Sequence, residues 1–81
     1  MPKFKVFSGA ALCRLLELNG FVKVRQRGSH RVMQKKLEAG TITVPVPMHD
    51  EIKIGTLMSI MRQSGLARSF FEAEQDQRKS N

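Results

Sequence analysis

The chain has no tryptophan, no tyrosine, a single cysteine, and seven acidic residues in a length of 81. Each scarcity excludes something. With only five phenylalanines for aromatics, the core must be built mostly from Leu, Ile, Val and Met, and an RNA-recognition sheet with exposed stacking rings is not expected. Cys13 alone closes no internal disulfide and makes no cysteine-based zinc site, and it fits a reducing compartment. No run approaches the roughly 20 apolar residues of a membrane helix, and MPKFKVF lacks the apolar stretch of a signal peptide. A cytoplasmic protein without a membrane partner is the expectation. The length leaves room for one small domain with a thin core, taken as residues 1–74, with 75–81 a frayed tail.

Positive charge is what the chain has in excess. Fourteen Lys and Arg stand against seven Asp and Glu, for a net +7. From Phe71 onward the charged residues are Glu72, Glu74, Asp76, Arg78 and Lys79, so that stretch is net negative and the excess on the rest is larger still. Such a balance favours an anionic partner, nucleic acid first and a membrane surface second. At 41% hydrophobic and 26% charged residues, the composition is that of a chain that folds.

Periodicity places the elements. Residues 8–19 set Ala11, Leu12, Leu15 and Leu16, with Ala10 and Leu18 beside them, at helical spacing. Ser8 suits an N-cap, Phe7 a staple onto Leu12, and Gly20 the left-handed residue after the helix. From Phe21 the period becomes two: Val22 and Val24 alternate with Lys23, Arg25 and Arg27, predicting a strand packed on one face and basic on the other. Gly28 and Ser29 make a turn, HRVMQKK a second strand, and TITVPV a third with Ile42, Val44 and Val46 on one face. Pro45 and Pro47 lack the N–H for a ladder, so this strand ends near them or lies at an edge. Leu57, Ile60 and Met61, led by Ile54 and stopped by Gly65, predict a second helix. Leu66, Phe70 and Phe71 follow as a last turn, with a capping box from Ser69 to Glu72. The order α-β-β-β-α predicts a two-layer α+β fold: a three-stranded antiparallel sheet with two helices on one face.

Between Lys23 and Lys36 there is no acidic residue. Alternation puts Lys23, Arg25 and Arg27 on one face and Arg31 and Lys35 on one face of the neighbouring strand, a stripe at phosphate-binding spacing. The plain alternative is a solvated sheet face. His30 and His49 are the two histidines, and imidazole is the side chain suited to proton transfer near neutrality. A lone histidine beside a turn is more often a surface polar group, but the cations around His30 single it out. No metal-ligand set is recognisable, since Asp50 and Glu51 are adjacent and suit a turn or the start of the second helix. Ser29, His30 and Asp50 make a triad only on paper, without a nucleophile elbow.

Four pieces occur in order at fixed spacing: NGF ending the first helix, RQRGSHRV, ITVPVP-MH, and KIGTLMSIMRQSGL. From about Ser8 to Phe70 the chain resembles the HicA (YcfA-like) family of small toxins. The resemblance implies a fold similar to the double-stranded-RNA-binding domain, and an mRNA endonuclease held inactive by a HicB-type antitoxin. Because RNA carries its own 2′-OH nucleophile, a histidine acid-base route is expected to need no metal and no cofactor. Homo-oligomers assembled through that antitoxin are a further expectation. The family's catalytic histidine falls on His30. Phosphate-holding roles go to Lys23, Arg25, Arg27, Ser29, Arg31 and Lys35, a turn-shaping role to Gly28, and a secondary acid or base role to His49. The chain departs from the family in Met48 before His49, in two prolines in VPVP, and in Ala67. The rival reading is a non-catalytic double-stranded-RNA-binding module, which binds RNA and leaves it intact. A third is an inert member whose only ligand is the antitoxin.

Overall fold

Ser8 starts the first helix as its sequence suggests. In the computed structural model, which describes residues 3–73, the Ser8 Oγ accepts from the Ala11 amide at 3.0 Å and α1 runs Gly9–Leu18. Its end is a Schellman turn: Gly20, with φ 94°, donates to the Glu17 carbonyl, and Phe21 donates to Leu16. Leu16 and Phe21 are both buried, so the hydrophobic contact that accompanies this motif aims the chain into the sheet.

Three strands follow, β1 Val22–Arg27, β2 His30–Leu37 and β3 Gly40–Pro47, antiparallel in the order β1-β2-β3. α2 spans Ile54–Ser64 and ends on Gly65 at φ 73°. A 3-10 turn, Arg68–Phe71, closes the described chain. Both helices pack across β3, and their buried residues join Met33, Val44 and Val46 in one core with Phe7, Phe21, Ile52 and Phe71. The two-layer α+β arrangement, similar to a double-stranded-RNA-binding domain, is the one expected. The predicted frayed tail lies outside the described residues.

Several local expectations are corrected. α1 buries Leu12, Cys13 and Leu16, while Ala10 and Ala11 are exposed and Leu18 is 80% exposed. The helix is therefore rotated so that Cys13 packs. Burial pushes the Cys13 thiol up from its ordinary pKa, and the nearby Arg31 guanidinium only partly opposes this. Ile54 is exposed at the start of α2. The Ser69–Glu72 capping box does not form: the 3-10 turn has no side-chain cap, and the Glu72 carboxylate instead accepts from Arg68 Nε at 2.6 Å.

The largest correction concerns β1. Lys23 pairs with Met33 and Arg25 with Val32, leaving Val24 as an extra residue in a β-bulge. Cross-strand partners share a face, so Lys23 lies on the helix side with Met33, whereas Val22, Arg25 and Arg27 lie on the open side with Gln34, Val32 and His30. Val22 and Val24 are consequently exposed rather than packed. On β2, Arg31 and Lys35 flank Met33 and share its helix-side face.

Gly9 ties α1 to the end of β3. Its amide donates to the His49 carbonyl at 2.8 Å, and a Cβ there would collide with the Pro47 carbonyl oxygen and lie 2.7 Å from Met48 Cα. Alanine gains up to about 1 kcal/mol of helix propensity over glycine, but here rigid backbone must move, which costs about 1–3 kcal/mol. The collision wins. Gly9→Ala is expected to lower the urea midpoint; an equal or higher midpoint would show that the close approach is not rigid.

Candidate functional site

The β1–β2 turn decides where His30 stands. Gly28 adopts φ 58° and Ser29 does not have a positive φ, the pattern of a two-residue II′ hairpin, whose first central position favours glycine. Arg27 and His30 then face one another across the ladder. The turn is anchored from behind, because the Ser29 carbonyl accepts from the Met48 amide at 2.7 Å. That bond brings the segment after β3, with His49, against the start of β2.

Two concavities meet at His30. On the open sheet face, Arg25, Arg27, His30, Val32, Thr43 and Pro45 line a hollow of about 350 Å³. Where the β3 edge meets α2, His30 lines a second cleft of about 410 Å³ with Pro45, Pro47, His49 and the α2-side residues Lys53, Thr56, Ser59 and Gln63. Both histidines are exposed. An imidazole thus stands between a pair of guanidinium groups and a second imidazole, with solvent access on both sides. A phosphodiester can be held from one side and exchange protons with the other.

The remaining predicted residues are elsewhere. Lys23 is on the helix side of β1, and Arg31, half-buried, points Nε at the Gln26 Oε1 at 3.3 Å. Lys35 holds its Nζ 5.9 Å from the Phe21 ring centroid, with its stem against Gly20, so it packs as a cation–π pair. Ser29 is exposed and contributes its carbonyl to the anchoring bond. The predicted single stripe is split by the bulge, leaving Arg25, Arg27 and His30 together on the open face and Lys23, Arg31 and Lys35 on the other. Among the described residues, no three His, Cys, Asp or Glu side chains converge as metal ligands.

The model of the HicA toxin of bacterial toxin-antitoxin matches residues 9–66. The chain belongs to the HicA toxin family. The matched span begins at the first residue of α1, contains the whole sheet and ends just past the cap of α2, so both concavities lie within it. As a HicA toxin, the chain has a toxin's role in a toxin-antitoxin pair and an antitoxin for partner. No curated protein matches it. Among the described residues, no helix is long and apolar enough to cross a membrane.

The second wall of the cleft in this HicA chain escapes sequence reasoning. Lys53 at the N-cap and Thr56, Ser59 and Gln63 on α2 follow one another at helical spacing, but periodicity identifies that helix by the apolar residues it buries. The polar residues left over on the opposite face are the available signal.

Proposed function

We propose that this HicA toxin is a metal-independent endoribonuclease of mRNA, with His30 as general acid or base and a HicB-type antitoxin as its inhibitor. RNA supplies its own nucleophile. The 2′ oxygen bonds to the adjacent phosphorus, the bond from phosphorus to the 5′ oxygen breaks, and a cyclic phosphate and a 5′-hydroxyl remain. A base must take the 2′ proton and an acid must give one to the departing 5′ oxygen, while cations offset charge on the phosphorane. The observation that carries the reading is His30 at the junction of the two concavities. Arg25 and Arg27 hold the phosphate in this scheme, and His49, in the same cleft as His30, is the partner acid or base. One domain, residues 1–74, suffices for it.

The experiment is incubation of the purified chain with a defined RNA in EDTA, followed by analysis of the ends. Fragments ending in cyclic or 3′-phosphate are expected. Intact RNA that nevertheless stays bound to the protein would replace the ribonuclease with the RNA-binding module.

The split stripe gives a second expectation. Arg25→Ala or Arg27→Ala should weaken RNA binding and flatten its dependence on salt, by about 0.7 in the log–log slope for each phosphate of a single strand that no longer meets a cation. Lys23→Ala and Lys35→Ala, on the helix side, should leave that slope almost unchanged. Equal effects from both faces, measured by fluorescence anisotropy across a salt series, would count against an open-face phosphate track.

A further inference from the structure

The cleft beside His30 has features that proton transfer does not use. Thr56, Ser59 and Gln63 line it from α2 with Lys53 at that helix's N-cap, and Pro45 and Pro47 line it from β3. Successive intervals of three, three and four keep the α2 residues on one helix face. A volume of about 410 Å³ suits a ligand of nucleotide size. One wall therefore offers flat apolar rings, and the other offers hydrogen-bonding groups. A nucleobase asks for both, an apolar surface against its π face and donors or acceptors at its edge. No Phe, Tyr or Trp lines the cleft, so the proline rings, with Ile52 and Ile60 beside them, supply the apolar surface, and Glu51 is the one acidic residue in the lining. The half-buried Ser59 Oγ accepts from Arg62 at 3.3 Å, whereas Thr56 and Gln63 are both exposed and best placed to meet a base edge. The Gln63 amide carries donors and an acceptor, and Lys53 adds a cation for a flanking phosphate.

We propose that this cleft is a base subsite for the unpaired nucleotide next to the phosphate at His30, with Gln63 reading its edge. The substrate class is then single-stranded RNA with a base preference at one position. In a duplex both faces of a base and its pairing edge are occupied, so a paired base cannot enter. The inference rests on the reading of His30 as the cleavage centre and adds the substrate's form and the residue that discriminates.

The test uses the full chain carrying His30→Ala, so that binding is read without cleavage, and a labelled pool of single-stranded RNA randomised in sequence. Retained molecules should be enriched about tenfold for one base at one position, the discrimination expected of one well-made hydrogen-bonded edge. Adding Gln63→Ala should erase that enrichment. Adding Gln63→Glu, whose carboxylate only accepts, should move it to a different base, a change that a merely structural role would not produce. A fully paired duplex should compete at least tenfold less well than the single strand. Ala and Glu are good helix formers at an exposed position, so misfolding will not mimic the result. Enrichment indifferent to both Gln63 variants, no enrichment at all, or a duplex that competes as well as the single strand overturns the subsite. The two readings fail separately. Wild-type cleavage without a Gln63-dependent preference removes only the subsite, whereas a Gln63-dependent preference in a wild-type protein that never cleaves removes only the ribonuclease.

Discussion

His30→Ala is expected to reduce RNA cleavage by about 10²–10⁴-fold, the usual worth of a positioned general acid or base, while leaving the fold in place. Two structural facts separate chemistry from stability here. His30 is exposed, and substitutions at exposed positions usually change stability by about 0.5 kcal/mol or less. The bonds that hold this region, from the Met48 amide to the Ser29 carbonyl and from the Gly9 amide to the His49 carbonyl, run through backbone that the substitution leaves intact. At about 1.4 kcal/mol per tenfold, the lost rate corresponds to about 3–5 kcal/mol of transition-state stabilisation, several times the change in folding energy. His49→Ala should cost less, because water or Lys53 can reach the same cleft. The comparison is made with single-turnover rates beside urea midpoints for the two variants and wild type. A His30→Ala protein as active as wild type would sink the assignment, and one that is inactive only because it unfolds would leave the midpoint to say so.

Local signals are legible in the sequence wherever one residue type answers one backbone demand. Ser8 caps, Gly20 and Gly65 take positive φ, Gly28 opens the hairpin, and Pro45 and Pro47 occupy an edge strand. What is not legible depends on a residue count or a partner that no short window contains. One additional residue at Val24 reverses the facing of Arg25 and Arg27 relative to Lys23, so strict alternation yields the right strand and the wrong stripe. The exposure of Val22 and Val24 has a related cause: both helices lie over β3, and among the described residues none covers the open side of β1. Cys13 replaces Ala11 in the core because α1 turns its Leu12 and Leu16 toward β3, and a small rotation moves the margin of the stripe.

The site divides in the same way. The Gly28–Ser29–His30 run is contiguous, and its turn chemistry fixes the imidazole at the sheet's end. Its pairing with His49 in one cleft depends on a bond between residues 19 positions apart, Ser29 to Met48, and the α2 wall enters only through tertiary packing. A cleft assembled from β2, β3 and α2 has no sequence window of its own.

Phe71→Ala is expected to be the most destabilising substitution among the aromatics. The side chain is fully buried and meets Phe7 edge-to-face, with ring centroids 6.1 Å apart and planes at 62°, a geometry that adds to the burial itself. Its carbonyl accepts from the Lys5 amide at 2.8 Å, and the bridge between Phe4 and Glu72 lies beside it. The two ends of the described chain are therefore joined around one ring, outside the span that the HicA family match covers. Removing a buried phenylalanine costs about 3–5 kcal/mol through lost transfer energy and the cavity left behind. A chain of this length has about 4–12 kcal/mol of stability in total, so the loss is a large share of it. At about 4–8 °C per kcal/mol for a domain of this size, the midpoint of thermal unfolding should fall by at least about 12 °C. Phe70→Ala is the internal control: that ring is 44% exposed, and its removal should cost a small fraction as much. Since Phe71 lines neither concavity at His30, cleavage per folded molecule well below the new midpoint should match wild type. A Phe71→Ala protein that melts near the wild-type temperature would mean that the closing turn rests on the core without holding it. One that stays folded yet loses cleavage would mean that the joined chain ends shape the cleft from a distance.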